Sequence, residues 1–173
     1  MVEMTVIRLG LDSSTNSFVV ILQERDGTRL LPIWIGRPEA EAIAAHLQGI
    51  KRERPLTHDL VRTLLLGLGA DVRRVAITRV EDRTYFAELQ IAKGAELLAV
   101  DARPSDSIAI ALRCGAPIFA AEPLLIVPGE AEGSDSAEFL PPPPARPTDE
   151  LSAEALQRHL STLRPEDFGK FRP

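Results

Sequence analysis

The stretch DARPSDSIAIALRCGAPIFA, residues 101–120, decides how the rest of the chain is read. Pro104 opens a helix and Gly115 ends it. Proline's missing N–H would be unpaired in a first turn anyway, and glycine accepts the left-handed conformation that closes a last turn. A strand over 96–101 leads in and a short strand over 117–121 leads out. The same punctuation stands earlier, in LPIWIGRPEAEAIAAHLQG, residues 31–49. Arg37-Pro38 matches Arg103-Pro104, and Gly49 lies as far from its proline as Gly115 does. Upstream, Leu22-Gln23 matches Leu89-Gln90 and Gly27 matches Gly94. Leu30-Leu31 matches Leu97-Leu98, and one deletion then brings the Arg-Pro pairs into line. Residues 18–49 and 85–115 therefore read as two copies of one unit: strand, turn, strand, Arg-Pro, helix, Gly.

Further strands are predicted over 4–11, 17–24, 29–35, 72–80 and 84–92 from alternating and β-branched residues. A helix is predicted over about 58–68, with Thr57 as N-cap and Leu60, Val61, Leu64, Leu65 and Leu68 as its buried face. The expected fold class is α+β. It is a largely antiparallel or mixed sheet with helices packed on one side, from internal duplication of a β-β-β-α unit.

Composition bounds the rest. The chain has 173 residues, 45% of them hydrophobic and 26% charged, which excludes wholesale disorder. The longest apolar runs, LLPIWIG, LLLGLG and IAIAL, fall far short of the ~18 residues of a membrane span. The start, MVEMTVIRLG, lacks a basic region followed by an apolar stretch, so no secretory signal is read there. Cys114 is the single cysteine, which rules out an internal disulfide or a cysteine-based metal site. The expected location is cytoplasmic. Net charge is −5, unevenly spread. Residues 1–127 carry 15 basic and 16 acidic side chains, and 128–173 carry 5 and 9. A near-neutral body excludes a protein that coats duplex DNA by charge alone, while leaving local binding at one groove open. The expected organisation is a domain over 1–127, a Pro- and acid-rich linker over 128–149, and a short amphipathic helix and tail over 150–173.

Three helix starts carry Arg-Pro: Arg37-Pro38, Arg54-Pro55 and Arg103-Pro104. A helix N-terminus holds about +0.5 charge and prefers acids, so an arginine there is unexpected. It either pairs with a nearby acid such as Glu39, Glu53 or Asp106, or helps the free N–H groups take an anion. The second and third starts add Thr57, His58 and Asp59, and Asp101, Ser105 and Asp106. Thr57, Asp59, Ser105 and Asp106 are also capping residues. Capping alone calls for neither Asp101, Arg103 nor His58. Carboxylates from separate elements can hold Mg²⁺ or Mn²⁺, an arginine can neutralise a phosphodiester, and an imidazole can move a proton. The chain has no HExxH, no Walker loop, no GxGxxG and no GxSxG. A Ser105–His58–Asp triad stays open, with a helix-cap serine as a poor nucleophile.

At these residues the sequence resembles the bifunctional nuclease domain family. The matching runs are 31–49, RPLTHDL (54–60), TYFAEL (84–89) and 101–120, and the likeness extends over about 1–127. The tail resembles that of bacterial single-domain members. The resemblance implies a hydrolase that acts on both DNA and RNA, on an α+β domain that assembles as a homodimer. The family's polar positions fall on Glu39, His58, Asp59, Asp101, Arg103, Ser105 and Asp106; Ser107 stands where many relatives have Ala. Two readings are open. In the first, a nuclease uses a divalent cation, Mg or Mn, held by Asp101 and Asp106 with Asp59 or Glu39. Arg103 takes the scissile phosphate, His58 is the acid or base, and Arg37, Glu39, Arg54 and Thr57 contact substrate. In the second, a non-catalytic dimeric module binds an anion, a nucleotide or a protein, and the same residues cap and pair. Trp34 or an edge strand is the expected dimer contact, and no membrane partner is expected.

Overall fold

A computed structural model of the chain describes residues 1–12 and 17–128. The expected helix over 150–163 and all but the first residue of the linker lie outside the described residues. Seven strands form one sheet: β1 (Val2–Asp12), β2 (Ser17–Glu24), β3 (Leu30–Ile35), β4 (Ala70–Glu81), β5 (Thr84–Lys93), β6 (Glu96–Ala102) and β7 (Ile118–Ala120). Their order is β3-β2-β1-β7-β4-β5-β6. Neighbours are antiparallel except β4 and β7, which run parallel. Three helices, α1 (Arg37–Leu47), α2 (Thr57–Gly67) and α3 (Pro104–Cys114), pack against this sheet.

The duplication is legible in the topology. Two meanders, β1-β2-β3 and β4-β5-β6, flank β7, and each ends in an Arg-Pro helix. Both helices also stop alike. Gly49 and Gly115 take φ of 65°. Ile50 N–H donates to the Ala45 carbonyl at 2.9 Å, and Ala116 N–H donates to that of Ala111 at 3.0 Å. These are the six-to-one bonds that a left-handed glycine permits, because a Cβ at that φ is strained.

One face of the sheet makes the core. Val20, Leu22, Leu31 and Ile33 are buried on one meander, and Val75, Ile77, Ala87 and Leu89 on the other, with Ile43 of α1 and Ile108 of α3 between. Each such Leu or Ile contributes about 1.5–3 kcal/mol relative to exposure. Period 2 then sends the alternate residues of β5 and β6 to the far side. Pro32 sits within β3, which is tolerable because β3 is an edge strand and a proline's missing donor costs no ladder bond there.

The α2 helix departs from expectation. It lies at the margin of the helical layer, and Leu60, Leu64 and Leu68 are exposed. Only Val61 and Leu65 touch the core, and the buried residue of α2 is His58. Its N-cap is Leu56, not Thr57: the Asp59 carboxylate reaches back to accept the Leu56 N–H at 3.0 Å.

Arg113 joins the three helices. Its guanidinium, 6% exposed, bonds the Asp59 carboxylate of α2 at 2.5 Å, the Ala42 carbonyl of α1 at 3.1 Å and the Ala109 carbonyl of its own helix at 2.9 Å. Burial alone would raise the Asp59 carboxyl, but Arg113 and the Leu56 N–H outweigh it and hold the group below its ordinary value.

Arg113→Met should cost about 1–2 kcal/mol in urea unfolding, because it leaves the Ala42 and Ala109 carbonyls and the half-covered Asp59 carboxylate without their shared donor; Asp59→Asn on that background should restore part of the loss. A depressed carboxyl stabilises the fold fully above its unfolded value of 3.8 and loses that contribution as pH falls through the folded value. Stability should therefore be flat at neutral pH and drop below about pH 4, less steeply in Asp59→Asn. Ser107 offers the opposite case. Its hydroxyl is fully buried without a hydrogen-bond partner among the described residues. Ser107→Ala should stabilise by about 1 kcal/mol in the same assay.

Candidate active site

The three helices begin beside one another. A cleft of about 590 Å³ is lined by the first turns of α1 (Pro38, Glu39), of α2 (Thr57, His58) and of α3 (Arg103, Asp106), with Arg52 and Pro55 from the α1–α2 connection. Helix N-termini carry unpaired N–H groups and positive potential, so three of them around one cleft bias it toward anions.

A row of charge-assisted hydrogen bonds crosses this cleft. Glu39 Oε1 accepts from Arg103 Nη2 at 2.8 Å, and Arg103 Nε donates to Asp106 Oδ2 at 2.7 Å. Asp106 Oδ1 lies 3.0 Å from His58 Nε2. Burial would raise the Asp106 carboxyl, but Arg103 and His58 pull it below its ordinary value, so it stays ionised. An ionised carboxylate only accepts, which makes Nε2 the protonated nitrogen of His58 and leaves Nδ1 to take or release a proton. The same contacts hold the Arg103 guanidinium charged, Asp106 contributing most. Gly36 leaves room for the Glu39 end of the row. A Cβ there would run into the Glu39 carboxylate, which folds back over the glycine while reaching Arg103. The matching position in the second unit is Ala102, where no such fold-back is needed.

Of the residues singled out in the sequence, Glu39, Thr57, His58, Arg103 and Asp106 come together here. Others do not line the cleft. Asp59 is committed to Arg113 and the Leu56 N–H. Arg37 is exposed and pairs with Glu41. Arg54 is exposed, and Ser105 is buried in the first turn of α3, so no Ser105–His58 couple forms.

Asp101 lies on the other face of the sheet. Its cross-strand partner is Glu88, between the buried Ala87 and Leu89, so it faces the side of the sheet away from the helices. Its position at the end of β6 is as expected, but its parity is opposite to that of the cleft. The expected cation set of Asp59, Asp101 and Asp106 therefore does not fit. Both oxygens of Asp59 and of Asp106 already accept hydrogen bonds. Among the described residues no three His, Cys, Asp or Glu side chains stand close enough to hold a metal.

Two residues escape the sequence reading. Arg113 stands seven residues after Asp106 and so on the same face of α3, a spacing that could have flagged it. Arg52, in KRER, carries no signal that separates it from its neighbours.

The arrangement can bind an anion and move a proton beside it. The family model for the bifunctional nuclease domain matches residues 20–130, which contain the whole cleft. An uncharacterized protein of Mycobacterium tuberculosis is 39% identical over 166 residues, covering 96% of this chain and 97% of that protein. Bifunctional nuclease 1 of Arabidopsis thaliana is 34% identical over 103 residues, 57% of this chain and 32% of its own. Bifunctional nuclease 1 of Oryza sativa subsp. japonica is 34% identical over 116 residues, 65% of this chain and 35% of its own. The match thus takes in about a third of each plant protein but nearly the full length of the mycobacterial one. A domain match over more than half its length, centred on the residues that build the cleft, makes this chain a member of the bifunctional nuclease domain family.

Proposed function

We propose that the chain hydrolyses phosphodiester bonds in DNA and RNA, with the reacting phosphate in the cleft where the three helices begin. The observation that supports this most is His58, buried at the start of α2 and oriented by Asp106 beside the Arg103 guanidinium. A water oxygen forms the new bond to phosphorus while its proton passes to His58 Nδ1. The bond to the leaving oxygen breaks, that oxygen takes a proton from solvent, and the imidazolium afterwards returns its own proton to solvent. Arg103 and the helix N-termini face the charge that builds on the phosphate. No step is routed through Mg²⁺ or Mn²⁺, since the expected carboxylates do not converge.

A second reading, a non-catalytic module for an anionic ligand, draws on the pairing of Glu39, Arg103 and Asp106 with one another. In the family reading the protein is also a cytoplasmic homodimer. Strand β6 offers the contact. It is an edge strand with Leu97, Leu98 and Val100 exposed, near-free of charge along its middle, and among the described residues nothing pairs with its outer side.

Purified full-length protein should cleave single-stranded DNA and RNA, and His58→Gln should lower kcat by about 10²–10⁴-fold with little change in unfolding midpoint. Equal cleavage by the His58→Gln preparation would mean a contaminant and end the proposal. A chelator arm decides whether a divalent cation takes part. A thermal shift with inorganic phosphate and no turnover would favour the second reading. Light scattering should give a dimer mass, and Leu98→Lys should reduce it to that of one chain.

A further inference from the structure

We infer that Arg52 is the anchor for a backbone phosphate adjoining the one cleaved, so that the substrate strand is gripped by the α1–α2 connection. The inference rests on the nuclease reading above and extends it to how the strand is held.

The charges facing the cleft differ in what they have left to offer. Arg103 is the obvious guanidinium, yet its Nε and Nη2 already donate to two carboxylates, those of Asp106 and Glu39. Glu41, at the rim, is matched by Arg37. Arg52 lines the same cleft, is exposed, and among the described residues has no ion-pair or hydrogen-bond partner. A phosphate that approached Arg103 would share it with the two carboxylates already held there. At Arg52 it meets a whole fork of donors with nothing to displace. With His58 neutral, as proton uptake at Nδ1 requires, the row Glu39–Arg103–Asp106–His58 holds two carboxylates against one guanidinium and leaves no cation to spare. Arg52 is then the unmatched charge of the lining. Arg103 is thus suited to positioning Asp106 and meeting charge as it develops, and Arg52 to ground-state binding of a neighbouring phosphate.

The connection also suits the task mechanically. Residues 50–56 are exposed and lie outside any helix or strand, so the side chain can follow a strand without disturbing the core. For the same reason Arg52→Ala should fold as the wild type does.

The test is fluorescence anisotropy with a labelled phosphorothioate single-stranded DNA, which resists hydrolysis. Arg52→Ala should weaken binding about tenfold and lower the slope of log affinity against log salt by about 0.7, the value of one phosphate contact on a single strand. Arg52→Lys should recover part of it. Lys51→Ala removes the same charge one residue away and should change affinity less than about twofold. With a cleavable strand, Arg52→Ala should raise KM about tenfold and leave kcat within about twofold, the pattern of lost uniform binding.

Equal weakening in Lys51→Ala, unchanged affinity in Arg52→Ala, or no binding of the strand by wild type would each overturn the anchor. Selective loss of binding in Arg52→Ala without hydrolysis by any form would leave the anchor standing and remove the nuclease reading.

Discussion

A guanidinium enclosed by three helices must find partners for its nitrogens, because an unpaired charge in so covered a place costs several kcal/mol. Arg113 meets that demand by drawing on all three helices at once: a carboxylate from the first turn of α2 and carbonyls from α1 and α3. The consequence reaches the cleft. Asp59 can serve Arg113 only if α2 enters the layer N-terminus first, and His58, one residue earlier, is then carried down beside Asp106. In the last turn of α3 the arginine also complements the negative end of that helix. The apolar contacts of α2 are too few to fix it alone, since Leu60, Leu64 and Leu68 point to solvent. A polar clamp therefore orients the helix that brings the imidazole.

Local punctuation made much of the fold legible. Pro38, Pro104, Gly49 and Gly115 mark helix boundaries through backbone chemistry that no tertiary context overrides, and the strands follow from β-branched alternation. What was not legible depended on the far partner. The leucines of α2 have the spacing of a buried face, yet spacing reports amphipathicity and not which neighbour covers it. Asp101 shows the same limit in a strand. Its place at the end of β6 is readable, but whether it meets His58 or points away depends on one unit of pleat parity, set by the pairing of Glu88 with Asp101 across β5 and β6. Arg113 was hidden because an arginine at a helix end is ordinary, and only its burial makes it unusual.

The duplicated unit gives the cleft its construction. Each copy delivers a helix that starts with Arg-Pro, but the two arginines have diverged in their partners. Arg37 turns along its own helix to Glu41, while Arg103 reaches back to Asp106 and across to Glu39 of the other copy. The bond between Glu39 and Arg103 is therefore a contact between the two units. Gly36 is the small residue over which the Glu39 carboxylate folds, at the position where the second unit has Ala102.

Charge economy then separates recruitment from chemistry. A cleft in which every ion is paired holds its groups in place but attracts little, since the fields of paired charges cancel within a few ångströms. A cleft of free cations attracts a polyanion but leaves its proton-transfer groups unoriented. Here the two demands fall on different elements. The rigid starts of α2 and α3 hold His58, Asp106 and Arg103 in a closed row, and the irregular connection between α1 and α2 supplies the unmatched Arg52. Because Arg52 lies in a segment without regular structure, its approach to a strand does not strain the row. Because the row is closed, no incoming phosphate needs to assemble it. Under the proposed function, that division would let a body of near-zero net charge handle a highly charged polymer at a single place.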